Sequence, residues 1–97
     1  MASITGAERK KLKSAAHHLR PVIQIGLKGL TDSLVKAVDD ALLSHELIKI
    51  KFMEYKEDKK QLSYRIAADT SSEVIGIIGN TAILYRENQD KSESGKI

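Results

Sequence analysis

The sequence predicts an α+β domain with the element order α-β-α-β-α-β-β, in which a four-stranded mixed sheet packs against helices as a two-layer sandwich. Three observations indicate this class. Apolar residues recur at helical spacing in three segments, β-branched runs separate and follow those segments, and a Gly-Asn dipeptide joins the last two runs. With 97 residues, 41% of them hydrophobic, the chain is long enough for one domain with one core.

The first half of the chain predicts a helix, a short strand and a second helix. Thr5 and Glu8 match a capping box, which starts the first helix, and Pro21 ends it because the residue before a proline avoids the α region. The β-branched run 22–25 indicates a buried strand. Thr31 caps a second helix that runs to about His45.

The second half predicts strands at 47–53, 73–78 and 81–86 around a third helix. Strict alternation in the first of these places Lys49 and Lys51 on its outward face. Asp58, followed by Gln61, has the spacing of a capping box at the start of the third helix, and Gly79-Asn80 suits a tight hairpin because both residues tolerate positive φ. The first two strands should be parallel with a right-handed crossover. The pattern does not indicate on which side the first helix docks.

Residues 1–86 are therefore expected to form a single domain, and the polar composition of 87–97 predicts a disordered tail. No stretch approaches the roughly 18 to 20 apolar residues that cross a bilayer. The sequence contains no cysteine, which excludes disulfides and thiolate chemistry. These observations favour a cytoplasmic protein without a membrane partner.

Positive charge is concentrated at the N-terminal end. Up to Gly29 the chain carries six cations and one anion, a net +5, whereas the remainder nets −2 within the overall +3. This asymmetry indicates a polyanionic partner, with a solvated basic helix as the alternative. The six cations are Arg9, Lys10, Lys11, Lys13, Arg20 and Lys28.

A loop of two glycines around a lysine, Gly26-Leu27-Lys28-Gly29, follows the first strand and precedes the second helix. Glycines allow close approach to a phosphate, and the exposed amides at a helix start favour an anion. The alternative is a simple tight turn. The motif is neither a P-loop nor a dinucleotide fingerprint, since both need glycines at other spacings.

Metal binding and catalysis find little support in the pattern. His17, His18 and His45 lack the spacing typical of metal ligands, and Asp39-Asp40 are adjacent helix residues whose side chains diverge. We therefore expect no metal, no cofactor and no enzymatic activity. The low aromatic share, 4%, also argues against base stacking on the sheet and favours recognition of the sugar-phosphate backbone.

The residues of segments 19–31, 45–51 and 78–86 resemble the YhbY-like proteins, whose module is the CRM domain of RNA-splicing and ribosome-maturation factors. The likeness covers roughly residues 3–86 in order. It implies a fold similar to the C-terminal domain of translation initiation factor three and RNA binding through the G-x-x-G loop, with Arg20 beside it. It also implies association with ribosomal RNA in precursors of the large subunit. Asn80-Thr81 departs from the basic and apolar pair common in such chains.

The charge, the loop and the resemblance together indicate a monomeric RNA-binding protein. The resemblance further implies an assembly factor that contacts ribosomal RNA and, in the assembling subunit, ribosomal proteins. G-x-x-G is also found in KH domains, but there it joins two helices, so the likeness is one of mechanism. The alternative is an adaptor that binds a protein of translation or ribosome assembly without touching RNA. The candidate RNA-binding residues are Gly26, Leu27, Lys28, Gly29, Arg20, Arg9, Lys10, Lys13, Lys49 and Lys51.

Overall fold

The computed structural model describes residues 4–88 and has the predicted order of elements. The sheet order is β1-β2-β4-β3, with β1 parallel to β2 and the remaining neighbours antiparallel. The predicted α+β class and mixed four-stranded sheet are thus confirmed. The elements are α1 Gly6–Ala16, β1 Ile23–Ile25, α2 Asp32–His45, β2 Leu47–Phe52, a 3-10 helix Lys56–Asp58, α3 Lys59–Asp69, β3 Glu73–Ile78 and β4 Thr81–Tyr85.

The main core lies between the sheet and the pair α2 and α3. Alternate residues of the strands point to this side, and most of them are completely buried, as expected for a half-covered sheet. Because the core is almost entirely aliphatic, Phe52 is its largest buried side chain. The buried members are Ile25, Val38, Leu42, Ile48, Ile50, Phe52, Ile66, Ala67, Val74, Ala82 and Leu84.

Helix α1 packs on the opposite face of the sheet from α2 and α3. A second, smaller cluster forms there around Ala16, Ile75 and Ile83, with Leu12 of α1 packed against it. Ile75 faces this side by alternation after Val74, and the register shift between Val74 and Gly76 brings Gly76 to the same side, opposite Ile83. The structure thereby adds a single-helix layer to the predicted sandwich and settles the docking side of the first helix.

Helix boundaries depart from the pattern at two places. The capping box of Thr5 and Glu8 is present, but α1 ends at Ala16 instead of continuing towards Pro21. The capping signature at Asp58 is wrong, because that residue makes no side-chain cap hydrogen bond. Asp58 is the last residue of the 3-10 helix and has φ −100 and ψ 8. A residue whose side chain caps a helix normally has an extended backbone, so this conformation does not suit a cap.

Two residues after the predicted domain boundary at residue 86, Asn88 packs against the end of α2. Asn88 is only 6% exposed, and its side-chain amide donates hydrogen bonds to the carbonyls of Leu42 and Leu43 at the end of α2. The Leu42 carbonyl also accepts from the Glu46 amide, so Asn88 adds a second bond there and supplies a donor to the Leu43 carbonyl in the last turn of α2. The rest of the predicted tail, 89–97, lies outside the described residues. Within residues 4–88, no helix is long and apolar enough to cross a membrane.

Candidate nucleic-acid interface

The loop of Gly26, Leu27, Lys28 and Gly29, called here the 26–29 loop, is an exposed turn at the end of β1. The Gly29 amide donates to the Gly26 carbonyl at 3.0 Å, and Gly29 has a φ of +65, which favours glycine. Leu27 is 78% exposed and Lys28 is also exposed. The turn thus presents its two central residues to solvent.

Several amides near this turn have no acceptor in the described part of the chain. The Thr31 hydroxyl accepts from the Leu34 amide and its carbonyl accepts from Val35, which completes the cap of α2. The amides of Leu27, Lys28, Asp32 and Ser33 donate to no acceptor within residues 4–88. Such unpaired donors at a helix start attract an anion.

Tyr55 braces the loop from its side. The Tyr55 hydroxyl donates to the Leu27 carbonyl at 2.6 Å, and a Cβ built on Gly29 would lie 3.3 Å from the Tyr55 ring. Tyr55 itself has a φ of 57, a left-handed conformation that costs free energy in a non-glycine residue and often marks a functional position. The sequence pattern did not single out Tyr55, because its partners are nearly thirty residues away along the chain.

If the loop contacts RNA, as the resemblance implies, removing the Tyr55 hydroxyl should weaken that contact. A hydrogen bond of this kind contributes about 1 kcal/mol, so we expect the affinity of Tyr55→Phe for an RNA fragment to fall about fivefold in a fluorescence anisotropy titration. Tyr64→Phe is the matched control, since Tyr64 is 55% exposed on α3 and its hydroxyl has no partner in the described chain. Equal affinities for the two variants would contradict a bracing role for Tyr55.

Lys49 and Lys51 lie on the face of β2 that points away from the main core, as predicted, and this is the face on which α1 docks. Lys51 pairs with Gln24 of β1, next to the start of the 26–29 loop, and Lys49 is two residues further from it. The Lys49 ammonium donates to the Leu19 carbonyl at 3.0 Å, which fixes its side chain beneath the segment that follows α1. Both lysines thus lie on one face of β2, with Lys51 at the end of the strand that adjoins the loop.

The cations of the first helix do not form one surface. The Arg9 guanidinium donates to the carbonyls of Val74 and Ile75 on β3, at 2.7 and 3.0 Å. Strand β3 is the edge opposite β1, about 14 Å away across three strand spacings. Arg9 therefore stabilises the bulge of that edge strand and lies apart from the loop, while Lys10 is exposed on the outer side of α1.

Lys13 and Arg20 also differ in position. The aliphatic chain of Lys13 crosses Gly76 of β3, and Lys13 lines a groove together with Lys49. Arg20 precedes Pro21 at the beginning of β1, whereas the loop follows the end of that strand. The expectation that Arg20 lies beside the loop is therefore wrong: an extended strand separates them.

Lys59 supplies a cation that the sequence pattern did not indicate. Its ammonium donates to the side-chain oxygen of Asn80 at 3.3 Å, so the β3–β4 hairpin carries a positive charge although residue 80 is polar. The hairpin expected at Gly79-Asn80 is present, and Gly79 is the turn residue that adopts a positive φ. Lys59 and Asn80 are far apart in sequence, and no local pattern predicts their contact.

Carboxylates gather at the other end of the sheet. Burial raises the pKa of the Tyr85 phenol above its usual value of 10.0, and the nearby charges of Glu87, Glu46 and Glu8 raise it further. Tyr85 and Thr81 stand at opposite ends of β4. The end of the sheet near Tyr85 is thus unfavourable for a polyanion, in contrast to the end that carries Lys51 and Lys28.

No group of three or more histidine or acidic side chains suited to a metal ion occurs among residues 4–88. The geometry defines a small α+β domain with an exposed glycine turn and lysines on the adjoining sheet face. The chain belongs to the CRS1 / YhbY (CRM) domain family, whose model matches residues 4–86. Membership agrees with the expected family and with a non-enzymatic domain.

Curated relatives and a solved structure support the assignment over nearly the full length. The chain is 34% identical over 91 residues to a probable RNA-binding protein, YqeI, from Bacillus subtilis, covering 93% of this chain and 95% of the relative. It is 34% identical over 91 residues to an RNA-binding protein from Haemophilus influenzae, covering 93% and 92%. The solution structure of a hypothetical protein from Staphylococcus aureus matches with a TM-score of 0.79 at 35% identity, covering 94% and 96%.

Proposed function

We propose that this chain binds structured RNA through the 26–29 loop and the lysines on the adjoining sheet face. The observation that carries the proposal is the set of unpaired amides at the loop, which stands beside Lys28 and faces solvent. Phosphate oxygens accept from such amides, and the start of α2 adds a favourable dipole. The names of the relatives, which describe RNA-binding proteins, support the same class of partner.

Four lysines extend the binding surface from the loop to α1. Lys28, Lys51, Lys49 and Lys13, called here the basic track, come from three parts of the chain: Lys28 from the 26–29 loop, Lys51 and Lys49 from β2, and Lys13 from α1, where it lines one groove with Lys49. Lys49 and Lys51 are about 7 Å apart along β2, because two strand residues span that distance. Successive phosphates of one RNA segment can therefore contact successive lysines.

The basic track predicts a defined response to salt. If all four lysines neutralise phosphates, the logarithm of the binding constant should fall against the logarithm of salt concentration with a slope of about −3.6 for a duplex or about −2.8 for a single strand. The slope can be measured by fluorescence anisotropy with a fragment of ribosomal RNA. Binding that does not respond to salt would overturn the proposal. No retardation of RNA at low salt, together with a stoichiometric co-purifying protein, would favour the adaptor alternative.

The RNA that we propose is ribosomal RNA in precursors of the large subunit, in the cytoplasm. The support for this finer proposal is the likeness to ribosome-maturation factors in the segments that form the loop and the hairpin. Sedimentation of ribosomal particles tests it: the chain should travel with large-subunit precursors and be depleted from mature subunits. Presence on mature small subunits alone would contradict it.

A further inference from the structure

A groove lies between the C-terminal part of α1 and the sheet, at the far end of the basic track. Its volume is about 220 Å³, and its lining includes the ammonium groups of Lys13 and Lys49 and the imidazole of His17. Its floor is apolar, with Ile83 of β4 completely covered and Ile78 of β3 exposed beside it. The lining residues include no carboxylate.

Two features of the fold build this groove. Gly76 lies under the Lys13 side chain: a Cβ at that position would stand 2.7 Å from the Lys13 Cε. The absence of that atom lets Lys13 lie flat across β3, with its ammonium close by. Because α1 ends at Ala16, the chain turns away at His17 and leaves its imidazole exposed at the rim.

The charges of the groove suit a phosphate, but its floor suits a different group. Lysine ammonium groups bind phosphate as point charges, and Lys49 keeps donors free beyond its bond to the Leu19 carbonyl. Ile83 is itself covered, so the exposed side chain of Ile78 supplies the apolar surface, which offers nothing to a phosphate but can receive the face of a base. Histidine is one of the side chains on which unstacked bases pack.

We infer that the α1 groove holds one unpaired nucleotide, with its phosphate between Lys13 and Lys49 and its base on the apolar floor beside His17. The inference rests on the proposed function for the identity of the polymer. Since α1 walls the groove on one side, a base still paired in a duplex does not enter it. Unpaired nucleotides in loops and bulges are the usual targets of specific RNA recognition. The domain then recognises an RNA segment whose sugar-phosphate backbone lies along the basic track and from which one base is extruded into the groove.

Titration of the isotope-labelled protein with mononucleotides tests the inference by NMR. Adenosine 5′-monophosphate and uridine 5′-monophosphate should shift the signals of His17, Ile78 and Thr81 in a saturable way, and at least one of them should bind more tightly than inorganic phosphate. Unchanged signals at these residues would overturn the inference. Equal affinity for inorganic phosphate and both nucleotides would show that the groove binds only an anion, and this result would also overturn the inference.

Two substitutions sharpen this test. Lys13→Met should weaken nucleotide binding at least fivefold, whereas Lys11→Met, on the opposite side of α1, should leave it unchanged. Gly76→Ala should also weaken it, because the added methyl group displaces Lys13 without changing any charge. Equal binding by the two lysine variants would refute the role of Lys13.

Failure of the inference and failure of the proposed function give different results. If salt and the loop lysine govern RNA affinity while mononucleotides leave the groove signals unchanged, only the groove inference fails. If mononucleotides occupy the groove while RNA affinity ignores both salt and Lys28, the proposed function fails and the groove remains a nucleotide site.

Discussion

Lys28→Glu is expected to lower the affinity for RNA about tenfold or more at low salt. The substitution removes one phosphate contact and places a carboxylate beside the unpaired amides of the loop. Asp32 follows this turn in the chain, and the Glu54 amide donates to the carbonyl of Ile25 just before it, so Lys28 offsets carboxylates that lie close to the loop. The slope of affinity against salt should also become shallower by about one unit. Both quantities follow from anisotropy titrations over a range of salt concentrations.

Arg65→Glu provides a control with the same change of charge. Arg65 is exposed on α3, which packs on the face of the sheet opposite the basic track. Its reversal alters the net charge by the same amount as Lys28→Glu, so long-range electrostatics affect both variants alike. An equal loss of affinity in the two variants would show that net charge alone attracts the RNA, and would contradict a site at the loop.

Phe52→Ala is expected to destabilise the domain by about 3 to 5 kcal/mol. Phe52 is completely buried and is the largest side chain of the main core, where it stands in register with Ile25 at the end of β1. Truncation leaves a cavity that the surrounding aliphatic residues fill only in part. For a domain of this size the midpoint of thermal unfolding should fall by about 15 to 30 °C, measured by circular dichroism.

Tyr64→Ala is the matched surface control for this prediction. Tyr64 is 55% exposed on α3, and its truncation should change the free energy of unfolding by no more than about 0.5 kcal/mol. A loss below 1 kcal/mol in Phe52→Ala would mean that the core beneath the loop is not packed as described. The loop would then lack the rigid support that its amides need.

Much of the fold could be predicted because it is encoded locally. Alternation along β2 indicated the buried face and placed Lys49 and Lys51 outward, as the structure confirms. The capping box at Thr5 and the hairpin at Gly79 likewise depend on neighbouring residues. These features need only the period of a strand, the chemistry of a helix start or a tight turn.

Other features could not be predicted because their causes are distant in sequence. The side on which α1 docks depends on Ile75 and on a bulge that places Gly76 on the same face, some sixty residues later in the chain. The same bulge takes Arg9 away from the loop, by offering the Val74 and Ile75 carbonyls to its guanidinium. Charge counting along the first helix gives no sign of this, since a solvent-facing arginine and one bound to carbonyls look alike in sequence.

Within the candidate site, the glycine turn could be predicted and its support could not. The 26–29 loop follows from its composition, and the structure places it in the open at the end of β1. Tyr55 was missed because a tyrosine in a charged turn has no characteristic spacing to a loop nearly thirty residues away. Tertiary contact alone makes it part of the site.

Backbone amide NMR during titration with a ribosomal RNA hairpin tests the central claim most directly. The amides of Leu27 and Lys28 should show some of the largest shifts, together with Lys51 on the adjoining strand, because phosphate oxygens accept from the loop and lie along the track. Shifts confined to α3 or to the β3 edge, with the loop signals unmoved, would contradict the claim that RNA is received at the junction of β1 and α2.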